Sequence, residues 1–395
     1  MKAQNSIENT GGGFADTQRG DAQASGGTTE KQATGKQFVA IIFILALATK
    51  MFLLPIFLIQ ATGRDAYIAM SIGSGIDLAA LGVMLGAMYL NKSTDFFTLL
   101  SSVIGKIGAR VAVGIIALFL FFKLNIAVSE ILAFYGNNVF TDFDTSLMIV
   151  VLLVFFAAVG NHTLRALCRL NELVVPIVVL CLAILTAIVV ITGFDLANIF
   201  PAMRAPETFR DGMFRHAAWL GDFTPLILFI GRTKLKKKTG FFAAGAGVIG
   251  SAVAVFFALV MSAAFGNVSV LVDTTTNLSS ILQYSIGNVY GRIDMFSSIL
   301  WSVSVFVEAA LFFYATCRCI AFVVGKNAHF AIALSVTVCV YVLQIFAFID
   351  PTVFSLIVTS APAAVITTTL ALAIPITALA CAAVDRRKQY GGGEK

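Results

Sequence analysis

Six ionisable side chains lie inside long apolar runs of the sequence, where an unpaired charge is costly even on lenient membrane-insertion scales. They are Lys50, Asp77, Lys123, Glu130, Asp222 and Glu308. Such groups are expected to face each other or a polar cavity, because lipid offers them no partner. Two kinds of chemistry suit them: binding of a small charged ligand, and proton transfer by Glu308 or Asp222. A structural ion pair that fixes helix register is the third interpretation.

Two of the apolar runs are interrupted at corresponding positions. The interrupting residues are Thr49, Lys50 and Met51 with Pro55 in the first run, and Gly221, Asp222, Phe223 and Thr224 with Pro225 in the sixth. A proline cannot donate to the carbonyl four residues earlier, so each break frees a backbone carbonyl. Free carbonyls at membrane depth are tolerated only where they face protein or a watery cavity. The breaks therefore predict one shared binding site, although two ordinary proline kinks would explain the same residues.

Composition indicates what kind of element positions these residues. The chain has 395 residues, of which 58% are hydrophobic and 12% charged, whereas a soluble domain usually carries about 25% charged residues. Runs of roughly 20 apolar residues, enough to cross a ~30 Å hydrocarbon core, recur along the chain. They predict ten spans, at residues 38–60, 65–90, 108–136, 145–160, 172–193, 216–231, 239–265, 294–324, 329–348 and 353–383.

Ten spans divide into two sets of five, which run in opposite directions because five is odd. This is the inverted-repeat architecture of many secondary transporters, whose binding sites lie at interrupted helices. The predicted fold class is therefore an all-α membrane protein with a five-plus-five inverted repeat and broken helices one and six. In that fold spans one and eight are neighbours, so Lys50 and Glu308 are predicted to pair near the midplane. Lys123 and Glu130 share a helical face, but they are two turns apart and too distant for direct contact.

The remaining segments predict the domain organisation. Residues 1–36 are rich in Gly, Ser and Thr and are expected to form a disordered tail. Residues 37–384 form the membrane domain, and residues 385–395 a second tail. Most Lys and Arg residues fall on one side of this topology, which predicts that both tails are cytoplasmic. This distribution also explains the net charge of +6 without a nucleic-acid partner. Residues 267–291 are too polar to cross and predict an amphipathic surface helix, whose part 273–290 is a candidate lid.

No motif of a soluble enzyme has the context that its chemistry needs. Gly245, Gly247 and Gly250 match a dinucleotide fingerprint, but they lie inside an apolar span with no preceding strand. Small residues that allow close helix packing explain them better. The histidines show no ligand spacing, so no metal site or cofactor is predicted, and the sequence gives no support for an enzyme.

Several short motifs resemble those of the spore germination permease family, the B subunits of germinant receptors. They are Lys36 to Phe38, Leu54 and Pro55, Gly63 to Tyr67, Gly105 to Gly108, Gly160 through Arg169 to Glu172, Asp195 to Asn198 with Pro201, Gly221 and Asp222, and Arg292 to Asp294 with Trp301. Each motif is degenerate, and the spacing of the whole set carries the resemblance. It covers the chain from about residue 36 to residue 325.

The resemblance implies the ten-span fold of the amino acid–polyamine–organocation permease superfamily, with a small nutrient bound between spans one, three, six and eight. It also implies A- and C-type partner subunits in the spore inner membrane and a role in triggering germination. Permeases of the superfamily usually have glycines at the first break, whereas this chain has Lys50, which would repel a ligand ammonium unless Glu308 neutralises it.

On this reading the ligand is a small polar nutrient such as an amino acid. The backbone around Thr49 to Met51 and Gly221 to Thr224 holds its polar ends, while Phe223 and Trp301 either contact its apolar part or only pack. Two alternatives remain open at this point. One is a proton-coupled amino acid transporter in which Glu308 or Asp222 carries the proton. The other is a membrane scaffold or ion conduit with a vestigial site.

Overall fold

The computed structural model describes residues 33–51, 53–91, 93–138, 145–160, 163–192, 199–200, 206–233, 235–265, 294–325, 328–348 and 350–391. These residues are almost entirely helical. The α-helices are α1 Gly35–Leu47, α2 Leu53–Thr62, α3 Ala66–Leu90, α4 Phe96–Asn138, α5 Thr145–Gly160, α6 Leu164–Thr192, α7 Pro206–Ala217, α8 Lys237–Phe265, α9 Asp294–Val324, α10 His329–Leu343, α11 Pro351–Thr359 and α12 Ala361–Gly391. Short 3₁₀ turns cover Thr49–Met51, Gly63–Asp65 and Thr224–Phe229, and a π-helical turn covers Gln344–Phe348.

Most predicted spans coincide with these helices. Within the described residues, seven helical stretches are long and apolar enough to cross a membrane, and Ser146–Val159 is a shorter apolar helix. Span six and the first part of span one are missing from this set, because each of these spans is broken into shorter pieces. The helix of span six, α7, lies at Pro206–Ala217 and thus mostly before the predicted 216–231. The fold class predicted from the sequence is confirmed, and the chain is a multi-pass membrane protein.

Some boundaries differ from the prediction, each for a local reason. Helix α4 begins 12 residues before the predicted span and turns at Gly105, whose φ of 77° places it in the left-handed region. Span ten is two helices, because Ser360 is extended and caps α12, so that Pro362 falls in the first turn of that helix. The predicted C-terminal tail starts as a helix, since α12 continues to Gly391. The N-terminal tail up to residue 32 and the segment 267–291, with its candidate lid, lie outside the described residues.

Helices five spans apart pack against each other, as two inverted halves require. Span three (α4) packs on span eight (α9), span two (α3) on span seven (α8), and span four (α5) on span nine (α10). The half-helices α2 and α7 of spans one and six also pack together. They run antiparallel, because Gly212 approaches Thr62 at one end while Trp219 packs on Phe57 nearer the breaks. The two broken spans are thus brought together with their interruptions side by side.

Small residues in α8 allow the closest helix approach. A Cβ at Gly250 would lie 2.7 Å from the Ala46 Cβ, and one at Gly247 would lie 2.5 Å from a Leu81 methyl group. These glycines therefore serve the packing of α8 on α1 and α3, as the sequence predicted for the false dinucleotide motif. On the opposite side, large apolar side chains such as Phe241 are exposed, as expected of a surface in contact with lipid.

Candidate ligand site at two helix breaks

The first break lies between α1 and α2. Helix α1 ends at Leu47, the 3₁₀ turn Thr49–Met51 follows, and α2 begins at Leu53. Pro55 therefore lies in the first turn of α2, where a backbone N–H needs no partner within the helix. The proline starts a new helix instead of kinking a continuous one. The carbonyl end of α1 and the amide end of α2 both point toward the break, and they carry opposite partial charges.

The second break lies between α7 and the 3₁₀ turn Thr224–Phe229. Gly221 has φ 87°, and a Cβ there would lie 2.7 Å from the Phe119 ring, so both its conformation and its surroundings favour glycine. The Gly221 N–H donates to Asp77 Oδ1 at 2.8 Å. Pro225 lies in the first turn of the 3₁₀ segment. The backbone at this break is therefore fixed from α3 as well as from its own turn.

Four buried side chains of alternating charge connect the two breaks. The order is Asp77, Lys50, Asp222 and Lys123, and each is at most 2% exposed. Lys50 Nζ lies 2.5 Å from Asp77 Oδ2 and 3.1 Å from Asp222 Oδ2. Asp222 Oδ1 in turn lies 2.5 Å from Lys123 Nζ. Because two ammonium groups face two carboxylates, the formal charge of this cluster is zero. We call it the charged relay.

Glu308 accepts hydrogen bonds from the first break, but it forms no ion pair with the lysines of the charged relay. Its Oε2 accepts from the Thr49 N–H at 3.0 Å, and its Oε1 is 3.4 Å from the Thr49 hydroxyl. The predicted Lys50–Glu308 pair is wrong, because Lys50 binds Asp77 and Asp222 instead. Glu308 thus remains a carboxyl group with 0% exposure and no cation within 4.0 Å among the described residues.

A second buried carboxyl group lies next to the relay. Lys123 Nζ donates to the Ala218 carbonyl at 3.1 Å, a group that the break in span six leaves free. At the next residue, the Trp219 indole N–H donates to Glu130 Oε1 at 2.6 Å. The absence of direct contact between Lys123 and Glu130 agrees with the sequence prediction. Both residues of α4 instead bind the broken segment of span six.

The predicted ligand contacts at the breaks are all buried. Met51 is 3% exposed, and Phe223 and Thr224 are 1% exposed. The Phe223 ring centre lies 5.7 Å from Lys50 Nζ, within the range of a cation–π contact. In this conformation the site is closed to solvent, so a ligand reaches it only after the surrounding helices move.

Trp301 does not share this position. Its ring packs on Phe134 at 4.7 Å, and it lies two helical turns before Glu308 in α9, or about 10 Å along the axis. The structure therefore places this tryptophan on the flank of the site, where packing accounts for it.

Sequence reasoning missed two residues beside the breaks. Trp219 packs on Phe57 as well as donating to Glu130, and its position two residues before Gly221 was the available signal. His216 is 1% exposed, and its ring fills the space that the missing side chain of Gly73 leaves. No sequence signal links His216 to that glycine, because the two are far apart in the chain.

Comparisons with known proteins agree with this architecture. Residues 32–352 match the family described as spore germination protein. No curated protein sequence matches the chain. One solved structure with a similar fold is Mhp1, a nucleobase-cation-symport-1 family transporter, closed with bromovinylhydantoin bound. It has a TM-score of 0.58 and 13% identity, over 80% of this chain and 72% of that one. The inward-facing conformation of Mhp1 gives a TM-score of 0.54 and 13% identity, over 86% and 77%.

At such identities the solved structures support the fold alone, that of a membrane transporter, and the family match carries the assignment. The match spans most of the chain, including both breaks, the charged relay and Glu308. The chain therefore belongs to the family of spore germination proteins and is a permease-like membrane protein.

Proposed function

We propose that this chain is the permease-like subunit of a nutrient receptor in the spore inner membrane, and that it binds an amino acid at the two helix breaks to trigger germination. The observation that carries the proposal is that both breaks meet at one buried polar site, where the charged relay has a formal charge of zero. The lysine at the first break had suggested repulsion of a ligand ammonium. Because Asp77 and Asp222 neutralise Lys50, that objection does not apply.

A zwitterion suits the polarity of the site. The amide end of α2 favours a carboxylate, and the carbonyl ends of α1 and α7 favour an ammonium group. Glu308 adds a negative charge beside Thr49. We infer that the ammonium group of the ligand lies near Glu308 and that its carboxylate lies near the start of α2. Ligand binding shifts the balance between conformations only through its different affinity for each.

The proposal includes A- and C-type partner subunits and an orientation with both termini in the cytoplasm. A chain that senses without transporting needs partners to pass on the signal. The distribution of Lys and Arg supports the orientation. Co-purification of the two other subunits with the tagged chain from spores tests the partner assignment.

A spore assay tests the receptor function. Spores carrying Asp222→Asn or Glu308→Gln in place of the native chain are exposed to an amino acid mixture, and loss of refractility is followed. Both variants are expected to germinate poorly, and immunoblotting of spore membranes measures how much of each variant is present. Asp211→Asn is the matched control, since Asp211 is on α7 beyond the break and its side chain is 63% exposed. Normal germination of both site variants would overturn the proposal.

A proton-coupled amino acid transporter is the second candidate, favoured because no described cation lies within 4.0 Å of Glu308. Purified protein in liposomes is tested for uptake of labelled amino acids under an imposed pH gradient. Uptake that is lost in Glu308→Gln and kept in Glu172→Gln, whose carboxylate binds Gln37 at a distance from the breaks, supports the transporter. Absence of uptake by a folded chain leaves the receptor as the better account.

A further inference from the structure

A cavity lined by basic side chains opens among the ends of several helices. It lies between the start of α4, the residues after Phe229, the end of α9 and the start of α10, and its volume is about 540 Å³. The lining includes Lys106, Arg110, Arg232, Arg318 and His329. Apart from these basic groups the lining is uncharged, with no carboxylate from the described residues. We call it the basic cavity.

The backbone is arranged to bring these cations together. The turn at Gly105 starts a new stretch of α4, on which Lys106 and Arg110 are four residues apart and share a face. Gly325, with φ 72°, ends α9 and leaves room for the Arg110 guanidinium, since a Cβ there would lie 3.2 Å from Nη2. Neither Lys106 nor Arg110 is within 4.0 Å of a carboxylate in the described chain.

The cavity also has an apolar wall. Phe97 and Phe322 stack with ring centres 5.0 Å apart and planes at 21°. Asp95 is close in sequence, but its carboxylate caps α4 by accepting from the backbone and hydroxyl of Thr98. The cavity therefore combines a group of basic side chains, of which Lys106 and Arg110 have no described carboxylate within 4.0 Å, with an aromatic surface.

We propose that the basic cavity binds a phosphate-bearing anion. Arginine forms paired, charge-assisted hydrogen bonds to phosphate oxygens, and basic pockets between transmembrane helices hold anionic lipid headgroups. A general excess of Lys and Arg on the cytoplasmic side explains basic residues anywhere on this face. It does not explain why they surround one cavity whose described lining contains no acidic side chain. The phosphate group belongs either to a phospholipid headgroup or to a soluble phosphate compound. The inference is independent of the nutrient site.

Two titrations of the purified full-length chain separate these sources. Inorganic phosphate is titrated at constant ionic strength by calorimetry, and native mass spectrometry counts retained phosphatidylglycerol against zwitterionic phosphatidylcholine. Arg110→Gln is expected to weaken binding by about tenfold or more, the loss of one charge-assisted hydrogen bond. Arg110 is exposed, so this variant is expected to fold, and Arg318→Gln is the second test. The matched control is Arg169→Gln, an exposed arginine outside the cavity.

Each outcome decides the matter. Phosphate binding that is lost in Arg110→Gln and kept in the control supports a soluble ligand. Selective retention of phosphatidylglycerol with the same dependence, but without phosphate binding, supports a lipid headgroup. Binding of neither probe, or equal weakening by Arg169→Gln, would overturn the proposal, because only nonspecific charge attraction would then remain.

Discussion

Replacing Asp222 by asparagine keeps the shape of the side chain and removes the charge at the centre of the relay. In the native chain Asp222 lies 3.1 Å from Lys50 Nζ and 2.5 Å from Lys123 Nζ. After the substitution Lys50 retains Asp77, but Lys123 retains, among the described residues, only the Ala218 carbonyl. The variant therefore has one buried ammonium group without a counter-charge.

Breaking a buried ion pair by removing one partner typically destabilises a protein by about 3–5 kcal/mol. The entropy of unfolding is about 2.1 cal/mol/K per residue, and the compact unit that contains the described helices covers residues 33–395. A loss of this size is then expected to lower Tm by about 4–7 °C. The exposed control Asp211→Asn is expected to change stability by no more than about 0.5 kcal/mol, or less than about 1 °C.

Thermal unfolding in detergent, followed with a thiol-reactive dye, suits this measurement because five of the six free cysteines are buried. A second substitution, Lys123→Met, tests the cause. The double variant removes the isolated ammonium, so it is expected to be more stable than Asp222→Asn by at least about 1 kcal/mol, a coupling typical of residues in contact. A double variant whose Tm loss equals the sum of both single losses would refute the reasoning, as would an Asp222→Asn that melts like its control.

Three further substitutions test single contacts, the first two by Tm in the same assay and the third by amide exchange. Gly221→Ala forces a side chain onto φ 87° and into a neighbouring ring, so a loss of about 1–3 kcal/mol is expected. Gly245→Ala, which meets nothing within 4 Å, is the control, and equal melting of the two would contradict the account. Trp219→Phe removes the only described donor to the buried Glu130 carboxylate, with a loss of about 1–3 kcal/mol, and an unchanged Tm would show that the bond is dispensable. Gln344→Leu removes the hydrogen bonds that tie the π-helical turn to α4, so amide exchange at residues 344–348 is expected to accelerate, and unchanged exchange would count against this role.

The sequence alone determined that the chain is a series of apolar spans, and it determined their order along the chain. Each segment that faces lipid must be apolar by itself, whatever the rest of the chain does, so its position can be found from local hydropathy. The predicted spans 145–160 and 294–324 therefore agree with α5 and α9. The positions of both breaks were also predictable, because Pro55 and Pro225 act on their own backbone. The early start of α6 was not, since its first two turns include Arg165 and Arg169. The early start of α4 was not either, since Gly105 and Lys106 separate its apolar first turns from the predicted span.

Only the tertiary structure decided which charged groups meet. Hydropathy and span order predict how deep in the membrane Lys50 lies, and several carboxylates lie at a similar depth. They do not fix the rotation of each helix about its axis. Packing of α3 against α2 and of the broken span six against α4 brought Asp77 and Asp222 to this lysine and left Glu308 on the Thr49 amide. A long side chain can reach any of these acids, and the packed helices select among them.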